Sequence, residues 1–219
     1  MREKRRVWPC CLTIAGSDSG GNAGVQADLR TFHAYRLHGC TVFTALTAQN
    51  PNGVYAINEI AADFVGAQLD AVLGTYSIAA LKTGMLGSAD VVEAVVDRLK
   101  AYPAIAKVVD PVMVATSGAE LAGAATRKAM EDLLFPFATL ITPNIPEAEA
   151  LSGRAIVSPR DVREAAKRLY GRFGAAVLVK GGHRTQDTGD AEDILFDGRE
   201  YSSFSLPQIE NPISTHGTG

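Results

Sequence analysis

Cysteine is scarce in this sequence: Cys10 and Cys11 are adjacent, and Cys40 is the third and last. An odd number with two immediate neighbours offers no disulfide framework, so the expected setting is a reducing cytoplasm. Long apolar runs are missing as well. No stretch approaches the ~20 residues that a membrane-crossing helix needs, which excludes a helical span. The basic opening Met1–Arg6 precedes an apolar run that Pro9 interrupts; that run is too short for a signal-peptide core, and the opening reads as a solvated tail. Positive charge is not concentrated anywhere: the formal charge is -3 and is spread through the chain, without the basic stripe of a nucleic-acid binder. A neutral or anionic small molecule is the expected partner. Repeats and low-complexity linkers are lacking, and the glycine spacings match neither GxGxxG nor GxxxxGK(S/T), which argues against a dinucleotide fingerprint and a P-loop.

What the chain does have is enough apolar residue, 47% of 219, to bury one sizeable core as a single domain. Short β-rich apolar runs at Cys11–Ala15, Cys40–Thr47, Ile78–Lys82, Ala106–Asp110, Thr139–Thr142 and Ala175–Lys180 alternate with helical patterns. That alternation predicts an α/β fold, doubly wound, with a mostly parallel central sheet and helices on both faces. Most of these runs are continuously apolar, as buried parallel strands should be. Ser88 is a candidate N-cap for a helix whose inner face carries Val91, Val92, Val95, Val96 and Leu99. Another helix is predicted from Ser158, with Pro159 and Asp161 in its first turn and Ala165, Ala166 and Leu169 facing inward. Near the end, Asp190–Phe196, a turn at Asp197–Gly198, and Tyr201–Leu206 read as an antiparallel edge hairpin.

The polar and glycine motifs fall at the carboxyl ends of the predicted strands, where an open α/β sheet binds its ligands. The first junction, Ala15–Leu29, crowds Gly16, Gly20, Gly21 and Gly24 into the step from strand to helix; either a tight turn or a close ligand approach would need them. Gln49 lies just past an apolar strand and offers both a donor and an acceptor, although an isolated glutamine there is more often a solvated loop residue. Met85, after Lys82-Thr83-Gly84, is more often core packing than a ligand contact. Asp110 ends a strand ahead of Pro111 and is either a turn starter or a hard oxygen ligand for Mg²⁺. Asn144 and Glu147, with Pro146 between them, spell a capping box, which is compatible with a helix start aimed at phosphate. Lys180-Gly181-Gly182-His183 brings a lysine to the rim, to neutralise phosphate or to sit in solvent. Gly217-Thr218-Gly219 either opens a helix whose N–H groups form an anion hole or is a flexible end.

Seven motifs in order carry a resemblance: AGSDSGG with AGVQADL (Ala15–Leu29), ALTAQN (Ala45–Asn50), KTGML (Lys82–Leu86), DPVM (Asp110–Met113), TPNIPEA (Thr142–Ala148), VKGGH (Val179–His183) and THGTG (Thr215–Gly219). The sequence resembles the hydroxymethylpyrimidine and phosphomethylpyrimidine kinases of thiamine biosynthesis, within the ribokinase-like fold. The resemblance implies ATP and Mg²⁺, with Gly16, Asp28, Gln49, Met85 and Val112 enclosing the pyrimidine. It assigns Asp110 and Glu147 to the metal, Asn144, Lys180 and Thr215 to the nucleotide, and Gly217, Thr218 and Gly219 to the anion hole. A homodimer is expected by the same analogy. Two departures stand out: Asn22 replaces a frequent glycine, and the family continues past GTG with a cysteine, often invoked as base, and further helices. The residues given are therefore expected to bind pyrimidine better than they turn it over. The rival readings are a pyridoxal or pyridoxamine kinase and a non-catalytic pyrimidine- or vitamin-binding module.

Overall fold

The computed structural model describes residues 8–113, 122–181 and 190–207. Its strands form one sheet in the order β3-β2-β1-β4-β5-β6-β7-β8-β9. Strands β1 (Cys10–Asp18), β2 (His38–Asn50), β4 (Ile78–Thr83), β5 (Ala106–Val109), β6 (Leu140–Ile141) and β7 (Ala176–Val179) run parallel. β3 (Gly53–Glu59) lies antiparallel to β2, and β8 (Asp190–Phe196) and β9 (Tyr201–Pro207) add the expected hairpin beyond β7. The chain moves from β1 outward to β2, then returns on the other side of β1 as β4. This reversal opens a crevice at the carboxyl ends of β1 and β4.

Helix α1 (Gly24–Ala34) packs on β1 and β2. On the opposite face lie α2 (Ala62–Leu73), α3 (Ala89–Leu99), α4 (Ala124–Ala129), α5 (Ile145–Ser152) and α6 (Pro159–Phe173), in contact with one another and with a single apolar core. The two faces can be told apart at β1. Thr13 donates its hydroxyl to Asp28 of α1, while its neighbours Leu12 and Ile14 enter the core with α2 and α3. Helices cover both faces, but unequally among the described residues. On α1's side, Val108, Leu140 and Leu178 are only half-buried.

Local chemistry explains the helix boundaries. Ser88 accepts the Val91 N–H at the start of α3, and Val91, Val92, Val95, Val96 and Leu99 are buried, each contributing roughly 1.5–3 kcal/mol. Ser158 and Asp161 form a reciprocal capping box at α6, which ends at Gly174 in the left-handed region. Beyond α4 a π turn, Met130–Leu134, and a 3-10 turn, Phe135–Phe137, set Phe135 edge-on to Phe173 of α6, with ring centroids 5.0 Å apart.

The sequence reading is corrected at the β2–β3 edge. β2 continues to Asn50, so Gln49 sits inside the strand rather than just past it, and β3 was not expected at all. No helix among the described residues is long and apolar enough to cross a membrane.

Candidate active site

The glycine-rich loop is organised by Asp18, the last residue of β1, which is only 2% exposed. Its Oδ1 accepts the Gly20 N–H at 2.8 Å, and its Oδ2 accepts those of Asn22 and Ala23 at 2.9 Å each. Ala23 is the N-cap of α1, so one carboxylate serves both the loop and the helix start. These three amides are bonded within the protein, in contrast to a P-loop, whose amides face phosphate. Gly24 has φ +58°, and a Cβ there would collide with the Gly16 carbonyl oxygen; only glycine allows this closeness. Asn22 is not among the positive-φ residues, so asparagine fits the loop without backbone strain.

Around this loop the structure gathers most of the residues expected on the pyrimidine side. A Cβ on Gly16 would lie 2.6 Å from Met85 Cε, so the glycine leaves room for the methionine across the β1–β4 crevice. Thr44 donates to the Met85 carbonyl oxygen at 2.6 Å and fixes its backbone. Gln49 approaches the loop through Ser19, and the Thr47 hydroxyl lies 3.2 Å from Gln49 Oε1. Asp28 is already engaged: it accepts from Thr13 at 2.6 Å and forms an ion pair with Lys82 at 3.1 Å. Lys82 opens the KTGML motif. Val112 follows β5 and donates its N–H to the Asp110 carbonyl oxygen at 2.9 Å.

The charged side lies at the ends of β5, β6 and β7. Lys180 Nζ sits 2.9 Å from Asp110 Oδ1, and the Thr142 hydroxyl reaches the same oxygen at 3.3 Å. The lysine is thus paired rather than a solvated rim charge. Its backbone N–H bonds the Pro143 carbonyl oxygen at 2.8 Å, and Asn144 and Lys180 form a parallel bridge that extends the ladder past β6 and β7. Asn144 and Glu147 make the expected capping box, each backbone N–H bonded to the other's side chain at 2.9 Å. Glu147 is 7% exposed. Burial raises its pKa from 4.5 to about 7, and the Asp110 charge adds to this; N–H donors from Asn144 and Met113 and the Lys180 cation oppose it.

Among the described residues no group of three or more His, Cys, Asp or Glu could hold a metal ion. Asp110 and Glu147 are a pair of neighbouring carboxylates, and the Asp110 charge helps Glu147 hold its proton. Such a pair fits Mg²⁺, which keeps water and takes one or two carboxylates together with substrate phosphates. The buried Lys107 belongs to the scaffold: its Nζ donates to the carbonyl oxygens of Tyr102, Pro103 and Ile105 before β5, at the strand end away from the crevice. His183, Thr215, Gly217, Thr218 and Gly219 lie outside the described residues.

Residues 18–219 match the phosphomethylpyrimidine kinase family. The chain belongs to the phosphomethylpyrimidine kinase family. It is 49% identical over 209 residues to the thiamine biosynthesis bifunctional protein ThiED of Geobacter sulfurreducens, covering 95% of this chain and 42% of that protein. It is 46% identical over 211 residues to the hydroxymethylpyrimidine/phosphomethylpyrimidine kinase of Haemophilus influenzae, covering 95% of this chain and 78% of that kinase. The chain therefore spans less than half of the first relative and about four-fifths of the second. In fold it is similar to Bacillus subtilis pyridoxal kinase, solved as an ADP complex, with TM-score 0.87 and 36% identity over 97% of this chain and 80% of that one. The ribokinase-like architecture expected from the sequence is thus the observed one.

Asp18, Ser19 and Lys82 are the residues of this phosphomethylpyrimidine kinase family member that sequence reasoning passed over. An aspartate followed by Ser-Gly-Gly is a local signal for a side chain that bonds the backbone just ahead of it. No local signal foretells the Lys82–Asp28 pair, which spans 54 residues.

Proposed function

We propose that this protein transfers the γ-phosphoryl group of ATP to the hydroxymethyl oxygen of 4-amino-5-hydroxymethyl-2-methylpyrimidine, and then a second phosphoryl group to the monophosphate, in thiamine biosynthesis. The observation that carries this reading is the division of one crevice. Gly16, Gln49 and Met85 lie at the carboxyl ends of β1, β2 and β4, and Asp110, Asn144 with Glu147, and Lys180 at those of β5, β6 and β7.

In this reading Met85 and Val112 are apolar walls, and Gln49 reads the ring nitrogen and amino edge. Asp28, held by Lys82, closes the pocket. Asn144 and Lys180 meet the nucleotide phosphates. Asp110 and Glu147 would hold Mg²⁺, which would supply positive charge against the phosphates. Thr215 takes a nucleotide contact, and the amides of Gly217, Thr218 and Gly219 offset charge on the group in transfer. Phosphoryl transfer asks the protein mostly for placement and charge neutralisation, which this division supplies.

The second reading is a pyridoxal kinase, favoured by the close fold similarity to the Bacillus subtilis enzyme. ADP release measured with hydroxymethylpyrimidine and with pyridoxal separates the two. A higher kcat/KM for the pyrimidine is expected; a higher value for pyridoxal would overturn the proposal.

A further inference from the structure

Ser19 was given no place around the substrate, yet it makes two short hydrogen bonds to one residue of the site. Its hydroxyl donates to the Gln49 carbonyl oxygen at 2.7 Å and accepts the Gln49 N–H at 2.7 Å. Satisfying both backbone groups of a residue is ordinarily the work of a neighbouring strand. At Gln49 the pairing with β1 gives out, while β3 still pairs with it at Val54. The β1–β2 ladder ends at Asp18 and Thr47, and the β2–β3 ladder shifts register between Ala48 and Gln49. Such an irregularity re-aims a side chain relative to the regular pleat. Ser19 takes the place of β1 beside Gln49, and the loop that carries it is anchored by Asp18 through Gly20, Asn22 and Ala23.

We propose that Ser19 is a positioning residue for the acceptor substrate: by holding the Gln49 backbone where β2 loses β1 and shifts its register against β3, it aims the Gln49 amide at the ring. This rests on the reading of Gln49 as the residue that contacts the ring. The glycine-rich loop then has a role distinct from phosphate binding, that of splinting the acceptor end of the crevice. Ser19 is exposed and small, so losing its hydroxyl opens no core cavity.

The test is a double-mutant cycle with steady-state kinetics in the complete protein. Ser19→Ala should raise KM for hydroxymethylpyrimidine about tenfold, the scale expected for losing two neutral hydrogen bonds, with kcat within about twofold. KM for ATP should not move. Ser19→Thr, which keeps the hydroxyl, should restore the wild-type KM to within about twofold. In a Gln49→Ala background, Ser19→Ala should add nothing, because the residue acts through Gln49. Additive effects in the cycle, an unchanged pyrimidine KM in Ser19→Ala, or a rise in both KM values together would overturn the proposal. If Gln49→Ala itself leaves the pyrimidine KM unchanged, the reading of Gln49 fails, and the proposal falls with it for that separate reason.

Discussion

Lys180 Nζ and Asp110 Oδ1 lie 2.9 Å apart although 70 residues separate them in sequence. The pair joins the ends of β5 and β7, with Thr142 of the intervening loop bonded to the same carboxylate oxygen. The lysine neutralises a carboxylate here; under the proposed function, nucleotide phosphates and Mg²⁺ would compete for the two partners. Lys180→Met should therefore raise KM for ATP by roughly ten- to a hundredfold, the worth of one charge-assisted hydrogen bond. KM for the pyrimidine should stay within about twofold. Steady-state kinetics with each substrate varied in turn checks this, and equal effects on both KM values would count against the division of the crevice.

Asp110→Asn keeps shape and removes charge. Activity should fall by roughly a hundredfold, and the Mg²⁺ concentration giving half-maximal rate should rise, since one of two expected metal ligands is lost. A Mg²⁺ titration of the rate is the measurement. An unchanged midpoint would separate Asp110 from the metal.

Glu147 gives a pH dependence with a definite sign. Its folded pKa of about 7 lies above the ordinary 4.5, so the folded state binds the proton more tightly than the unfolded chain does. Its contribution to stability is therefore best below pH ~4.5, is lost as pH rises through about 7, and amounts to roughly 3 kcal/mol at 1.36 kcal/mol per pH unit. Glu147→Gln preserves the capping geometry, because glutamine also serves at that position of the box. In metal-free buffer the variant should melt several degrees above wild type at pH 8 and within about one degree of it at pH 4. Melting curves that differ equally at both pH values would contradict the assignment.

Two glycines of the first loop should respond differently to alanine. At Gly24 the added Cβ meets the Gly16 carbonyl oxygen at φ +58°; neither backbone can yield cheaply, and a loss of about 2 kcal/mol or more is expected in thermal unfolding. At Gly16 the obstacle is the flexible end of Met85. Gly16→Ala should fold normally while raising the pyrimidine KM, because the displaced methionine enters the pocket. Comparable losses of stability in both variants would refute this contrast.

These sites differ in how far the sequence alone could show them. The parallel strands were legible because one face is buried in the core and the other is largely apolar, so Leu12, Ile14, Val109, Ile141 and Val177 stand in short, mostly apolar runs. The capping box at Asn144 and the helix start at Ser158 were legible because every group they use lies within three residues. β3 was not, because every residue from Gly53 to Glu59 is exposed or half-exposed and carries no periodic apolar signal. Its pairing with β2 is what draws Gln49 into a strand. The pairs Asp28–Lys82 and Asp110–Lys180 depend on strand order, which spacing along the chain does not reveal. Motif order pointed to the family; only the sheet showed which motifs touch.

The central claim concerns two successive transfers at one site. The most direct measurement is a phosphorus NMR time course of the complete protein with hydroxymethylpyrimidine, ATP and Mg²⁺. Pyrimidine monophosphate should rise first and then fall as the diphosphate appears. A monophosphate that accumulates without further reaction, or pyridoxal phosphorylated in preference to the pyrimidine in the same mixture, would contradict the account.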